Sequence, residues 1–201
     1  MGLDISTWVI VLIKDFGSAK QRLRPALGPK ARRGLARRNA RLAVRAAAAG
    51  DHVLVVAGGD GVADLAEVWG AEVLREPRQE GQNMAAQRGI ARALVAGADA
   101  VLLLSSDLPL VTEEALAEVL SVAGNIEGPL AVAGPAIGRG GTNALYLRPP
   151  DAITLQFGDD SLAKFRHEAQ VKGVNFVVHQ SEAMALDLDE PADLARLRRA
   201  G

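Results

Sequence analysis

A chain of 201 residues, 49 % apolar and 23 % charged, is long enough to bury one sizeable core. The absence of cysteine excludes disulfides, thiolate nucleophiles and cysteine metal centres, and His52, His167 and His179 carry no spacing that suits zinc. The net charge of −1 hides a basic stretch: Lys14 to Arg45 holds eleven Lys or Arg residues against the single acid Asp15.

The chain opens with Met1-Gly-Leu-Asp-Ile-Ser6, which matches the loose pattern for N-myristoylation. The apolar run Trp8 to Ile13 that follows argues against lipidation, because it reads as a first core strand. That run is too short to cross a bilayer, and no basic leader precedes it, so the expectation is a cytoplasmic single domain over 1–201. Lys14 to Pro29 is a basic loop punctuated by Gly17, Pro25, Gly28 and Pro29. Arg32 to Ala49 is expected as a helix with Leu35, Leu42 and Ala46 inward, closed by Gly50. On it Arg33, Arg37, Arg41 and Arg45 recur every four residues, which favours a solvated stripe.

Val53 to Ala57 reads as a second strand, followed by Gly58-Gly59-Asp60-Gly61, a helix from Val62 to Trp69 and a short strand from Glu72 to Leu74. The glycine cluster lacks the Gly-x-Gly-x-x-Gly spacing of a dinucleotide fold, and no P-loop motif occurs anywhere. Asn83 to Ala96 is a helix that leads into Ala100-Val-Leu-Leu-Leu104. This unbroken apolar run, bounded by Gly97 and Pro109, reads as a central strand buried on both faces. It ends in Ser105-Ser106-Asp107, and the carboxyl ends of central strands are where open α/β sheets bind ligands. A turn or helix-capping role is the bland alternative for Asp107. Thr112 caps the next helix, with Glu113 and Glu114 in its first turn.

Strands alternating with helices to residue 123 imply a parallel sheet. Further strands are expected at Leu130 to Ala133, Ala144 to Leu147 and Phe176 to His179, with a helix from Ser161 to Lys172. Ala185 to Leu188 reads as a short alternating strand and Pro191 as the start of a last helix ending at Arg199. The expected fold is one three-layer α/β domain.

Three features can carry chemistry. Lys14, Lys20 and Arg22 follow strand one at the same sheet edge as Asp107, where cations can neutralise a triphosphate. In Leu186-Asp-Leu-Asp189, alternation puts Asp187 and Asp189 on one face, a pairing that suits a divalent cation with oxygen ligands or a plain exposed edge. The loops Gly138-Arg-Gly-Gly-Thr-Asn143 and Phe157-Gly-Asp-Asp-Ser161 allow close backbone approach to a small phosphorylated acid, with Ser161 opening a helix. A plain N-cap is the alternative for Ser161.

Together these residues resemble the guanylyltransferases of coenzyme F420 biosynthesis, within the molybdenum-cofactor-guanylyltransferase-like nucleotidyltransferases. The resemblance runs through Lys14…Ala19-Lys20-Gln-Arg22-Leu23, Gly81-Gln-Asn83, Ser106-Asp107-Leu-Pro109, Gly141-Thr142-Asn143-Ala-Leu, Phe157-Gly158-x-x-Ser161-Leu and Leu186-Asp187-Leu-Asp189-x-Pro191-x-Asp193-Leu. It implies a Rossmann-like α/β/α nucleotidyltransferase with a mixed, mostly parallel central sheet. It also implies a magnesium (Mg2+) site from Asp107, Asp187 and Asp189, with Lys20 and Arg22 acting beside Asp107 in catalysis. Lys14, Lys20, Arg22 and Asn83 are the implied GTP-binding residues. Thr142, Gly158 and Ser161 would hold a small phosphorylated carboxylic acid. Gln82 departs from the usual Gly-Leu-Asn, and Asp15-Phe16 from the usual opening loop. The implied partners are GTP and the acid, with no nucleic acid and no membrane, and a homodimer as the assembly to test. A different acceptor (3-phosphoglycerate, molybdopterin or a sugar phosphate), a glycosyltransferase and a non-catalytic GTP-binding protein are the competing readings.

Overall fold

The computed structural model describes residues 5–138 and 140–200. Met1 to Asp4 of the acylation pattern, and Arg139 of the glycine-rich loop, lie outside them. Three βα units open the chain: β1 (Thr7–Ile13), α1 (Pro29–Ala46), β2 (His52–Ala57), α2 (Asp60–Val68), β3 (Glu72–Arg75) and α3 (Gln82–Val95). The central strand β4 (Ala100–Ser105) and α4 (Glu113–Gly124) follow, then β5 (Leu130–Pro135), β6 (Thr142–Arg148), α5 (Ser161–Lys172) and β7 (Asn175–Val178). A four-residue helix α6 (Glu182–Ala185) and α7 (Pro191–Ala200) complete it.

The strands form one sheet in the order β3-β2-β1-β4-β6-β5-β7. Among the described strands, only β6 runs against the rest, pairing antiparallel with β4 and β5. The order reverses between β1 and β4, which pair in parallel with Val11 opposite Leu104. A reversal of this kind splays the following loops apart and opens a crevice at the strands' carboxyl ends.

Alternation along the buried strands serves two cores. Val9, Val11, Leu102 and Leu104 pack with α1, α2 and α4 on one face. Trp8, Ile10, Val101 and Leu103 pack with α3 and α5 on the other. Strands covered on both faces read as near-continuous apolar runs, as β1 does from Trp8 to Ile13 and β4 from Ala100 to Leu104. On the second face α3 lies so near the sheet that a Cβ at Gly89 would stand 2.7 Å from Ile10 Cγ2. Only glycine permits that approach.

Several boundaries move from their expected places. Helix α1 starts three residues early because Gly28 and Pro29 supply an N-cap and a first helical residue. Its inward row is Ala36, Asn39, Ala40, Ala43, Val44 and Ala46; of the three residues expected inward, Ala46 is buried, while Leu35 and Leu42 are only half-buried. Helix α5 falls on Ser161–Lys172 as read, closed by Gly173 in the left-handed conformation. The strand expected from Ala185 to Leu188 is absent. Residues 182–185 form α6 instead, and the following stretch is extended but finds no strand partner. Its burial still alternates, with Leu186 and Leu188 inward and Asp187 and Asp189 half-exposed. Among the described residues, no helix is long and apolar enough to cross a membrane.

Candidate active site

The crevice between β1 and β4 gathers its side chains mainly from six segments: 12–22, 76–85, 105–107, 136–143, 157–161 and 187–189. The loop after β1 turns early on Asp15, whose carboxylate accepts the Ser18 backbone N–H at 2.9 Å. It is anchored by Leu23, which is fully buried. Between them Lys20 adopts the left-handed backbone conformation, with φ 60° and ψ 34°. A lysine held there costs roughly 1–3 kcal/mol, which surrounding contacts must offset. The conformation turns the side chain inward. Its ammonium lies 2.8 Å from Asp107 Oδ1 and 3.6 Å from Asp189 Oδ1, with the side chain 1 % exposed. Arg22, by contrast, is exposed and reaches Glu190 Oε1 at 3.7 Å.

Asp107 stands two residues beyond the end of β4. Its backbone carbonyl accepts from Asn39 Nδ2 on α1 and from the Leu188 N–H, both at 3.2 Å. The second bond replaces the expected strand pairing and brings the 187–189 stretch against Asp107. From the far side, the buried Asp193 carboxylate accepts the N–H groups of Asp189 at 3.0 Å and Glu190 at 2.8 Å. Arg196 donates to its other oxygen. Asp187 and Asp189 are thus held beside Asp107 by backbone hydrogen bonds. Burial pushes the Asp187 carboxyl above the ordinary range, and the charges of Asp189, Asp193 and Asp107 add to the effect. Among the described residues, no three acidic or histidine side chains stand close enough to enclose a metal ion unaided.

Across the crevice, Thr142 begins β6 and Ser161 begins α5. Both are buried, and Ser161 Oγ donates to Thr142 Oγ1 at 3.1 Å. Gly158 sits at φ 126°, a conformation that glycine alone adopts easily, and its carbonyl accepts the Ser161 N–H. Asn143 is buried too and donates to the Met184 carbonyl at 2.8 Å, while the Ile137 N–H bonds Ala185. These bonds fasten α6 to the start of β6.

Two adjoining hollows result. The first, about 340 Å³, is lined by Lys14, Lys20, Arg22, Gln79, Gln82 and Asp107, with Ile13 and Val56 at its apolar floor. The second, about 310 Å³, is lined by Thr142, Asn143, Gly158, Ser161 and Asp187. Lys14, Arg22, Gln82, Asp107 and Asp189 line both. Of the residues singled out from the sequence, nine therefore meet in one crevice: Lys14, Lys20, Arg22, Asp107, Thr142, Gly158, Ser161, Asp187 and Asp189. The exception is Asn83, which lines neither hollow and bonds the backbone of Phe157. The reading missed Asn39, whose role depends on a folded contact and is foreshadowed only by a lone amide in a basic helix. Asp193 stands in the stretch that carries the resemblance, which assigns it no role; the structure gives it one, on the Asp189 and Glu190 N–H groups.

A family model described as "Guanylyl transferase CofC like" matches residues 7–201. The chain is 41 % identical over 199 residues to a phosphoenolpyruvate guanylyltransferase of Rubrobacter xylanophilus, covering 98 % of this chain and 96 % of that protein. It is 32 % identical over 195 residues to a 2-phospho-L-lactate guanylyltransferase of Methanothermobacter thermautotrophicus, covering 96 % and 84 %. A solved nucleotidyl transferase from the same archaeon superposes with a TM-score of 0.66 at 17 % identity, covering 97 % of each chain, which bears on the fold alone.

Proposed function

The chain belongs to the CofC-like guanylyl transferase family, and from that premise we propose that it transfers GMP from GTP to a small phosphorylated three-carbon acid, releasing pyrophosphate, in coenzyme F420 biosynthesis. The observation that carries the reading is the pair of hollows that meet at Asp107 and Asp189. A two-substrate transfer needs both reactants held at one boundary in near-attack geometry. Phosphoenolpyruvate is the first acceptor to offer, since the relative at 41 % identity carries that name and the one at 32 % carries 2-phospho-L-lactate.

The acceptor's phosphate oxygen attacks the α-phosphorus of GTP in line. One phosphorus–oxygen bond forms, the bond to the β-phosphate breaks, and pyrophosphate leaves with the electron pair. The product joins acid and guanosine through a diphosphate. A phosphate is already an anion at neutral pH, so the step requires no general base. The chain's part is positioning and charge stabilisation. Lys14, Lys20 and Arg22 face the first hollow and neutralise the triphosphate. The Thr142 and Ser161 hydroxyls, with the Gly158 backbone, orient the acceptor in the second.

The donor set is compatible with a divalent cation, magnesium for preference. Two hard carboxylates, Asp107 and Asp189, converge on one cationic position, and Asp187 adds a third beside them. Magnesium commonly takes one or two carboxylates and completes its shell with water and phosphate oxygens, which suits an incompletely enclosed set. When bound by these aspartates, the ion supplies neutralisation and alignment of the phosphate oxygens.

The test is pyrophosphate release from GTP and magnesium with phosphoenolpyruvate, 2-phospho-L-lactate and 3-phosphoglycerate offered separately. Release with one of the first two and none without an acceptor is the expected result. Silence with all three, from folded protein that binds GTP, contradicts the proposal.

A further inference from the structure

We propose that Asn83 is a positioning residue for the acceptor loop, acting through the backbone of Phe157, and not a contact to the nucleotide. The inference rests on reading the second hollow as the acceptor pocket.

Asn83 is the second residue of α3. Its predecessors Gly81 and Gln82 line the first hollow; Asn83 lines neither. Its side chain is engaged elsewhere. Asn83 Oδ1 accepts the Phe157 N–H at 2.8 Å, and Asn83 Nδ2 donates to the Phe157 carbonyl at 3.3 Å. The amide thus pairs with both polar groups of a residue 74 positions later, as a strand neighbour would. No other residue type of this length offers a donor and an acceptor in that planar arrangement.

Both ends of the link are fixed. Helix α3 is seated on the sheet through the close approach at Gly89 to Ile10 and Val56. The Phe157 ring packs edge-on against buried Phe165 of α5, with centroids 5.1 Å apart. Immediately after the clasp the chain turns at Gly158, φ 126°, and then delivers Ser161 to Thr142. Displacing Phe157 would therefore displace the glycine and hydroxyl that line the second hollow. The side chain ties the wall of one hollow to the loop of the other.

Asn83→Asp is a nearly isosteric test. A carboxylate can still accept from the Phe157 N–H, but it has no proton for the carbonyl and repels it. Asn83→Ala removes both bonds. Two readouts separate the roles. Hydrogen exchange over residues 155–161 should accelerate about tenfold in either variant. The KM for phosphoenolpyruvate should rise about tenfold while the KM for GTP stays within about twofold. A raised KM for GTP with unchanged exchange over 155–161 overturns the inference and makes Asn83 a nucleotide contact. Accelerated exchange with an unchanged acceptor KM overturns it as well, because the tie would not serve the acceptor. Wild-type protein that releases no pyrophosphate with any acceptor sinks the transferase reading instead, a failure that the exchange measurement does not share.

Discussion

Lys20 and Asp107 come from loops that follow adjacent parallel strands, and their charged atoms meet at 2.8 Å with the lysine side chain 1 % exposed. The ammonium makes a close ion pair without a well-aligned hydrogen bond, and its second carboxylate neighbour, Asp189, stands 3.6 Å away. A buried ammonium between two part-exposed carboxylates is held by the fold, since it would be better hydrated outside. Its left-handed backbone points the same way. The arrangement places fixed positive charge where a triphosphate enters.

Lys20→Met keeps the length and apolar stem of the side chain and removes only the charge. Turnover should fall roughly 10²- to 10³-fold, the range for removing one preorganised electrostatic group. The variant should still unfold cooperatively, because Asp107 and Asp189 can hydrate from the crevice. Initial rates of pyrophosphate release, with a thermal melt as control, check this. Turnover within about threefold of wild type would mean that the ammonium is only structural.

Thr142→Val preserves shape and deletes the oxygen that accepts from Ser161 Oγ. It leaves a buried serine hydroxyl without its partner, a loss of about 1–3 kcal/mol. The expected kinetic signature is an acceptor KM raised at least tenfold with the GTP KM unchanged. Equal losses for both substrates would remove Thr142 from the acceptor side.

Gly89→Ala tests the packing that seats α3. The added methyl meets Ile10 Cγ2 at 2.7 Å and Val56 Cγ2 at 3.1 Å, both on buried β-branched side chains with little room to yield. Overpacking of this kind costs about 1–3 kcal/mol, against ~1 kcal/mol recovered from helix propensity. A lowered urea midpoint with normal turnover per folded molecule is expected. An unchanged or raised midpoint would show that the helix can move off the sheet freely.

Much of this was legible in the residues. The apolar run Ala100 to Leu104 announces a strand covered on both faces, and Thr112 does cap α4, accepting the Ala115 N–H. The bounds of α5 are read without shift: Gly173 closes it, and it opens at Ser161, although the N-cap position belongs to Asp160 and the Ser161 hydroxyl goes to Thr142. The failures share a cause. The stretch from Ala185 to Leu188 alternates in polarity because an extended chain lies against the core, and alternation alone cannot say whether a partner strand is present. Asn39 and Asn83 act on residues 68 and 74 positions away, distances over which no local pattern carries information. Lys20 was found as a cation of the loop, but its inward turn depends on a backbone conformation that lysine does not advertise.

The most direct test of the account is Asp107→Asn in the complete assay with GTP, magnesium and phosphoenolpyruvate. The amide keeps the size of the side chain and leaves untouched the backbone carbonyl that Asn39 and Leu188 bond, so the fold should persist. The account predicts that acceptor-dependent pyrophosphate release falls by roughly 10³-fold or more while GTP still binds. Near-normal release by that variant would contradict the assignment of the crevice between β1 and β4 as the place where GMP is transferred.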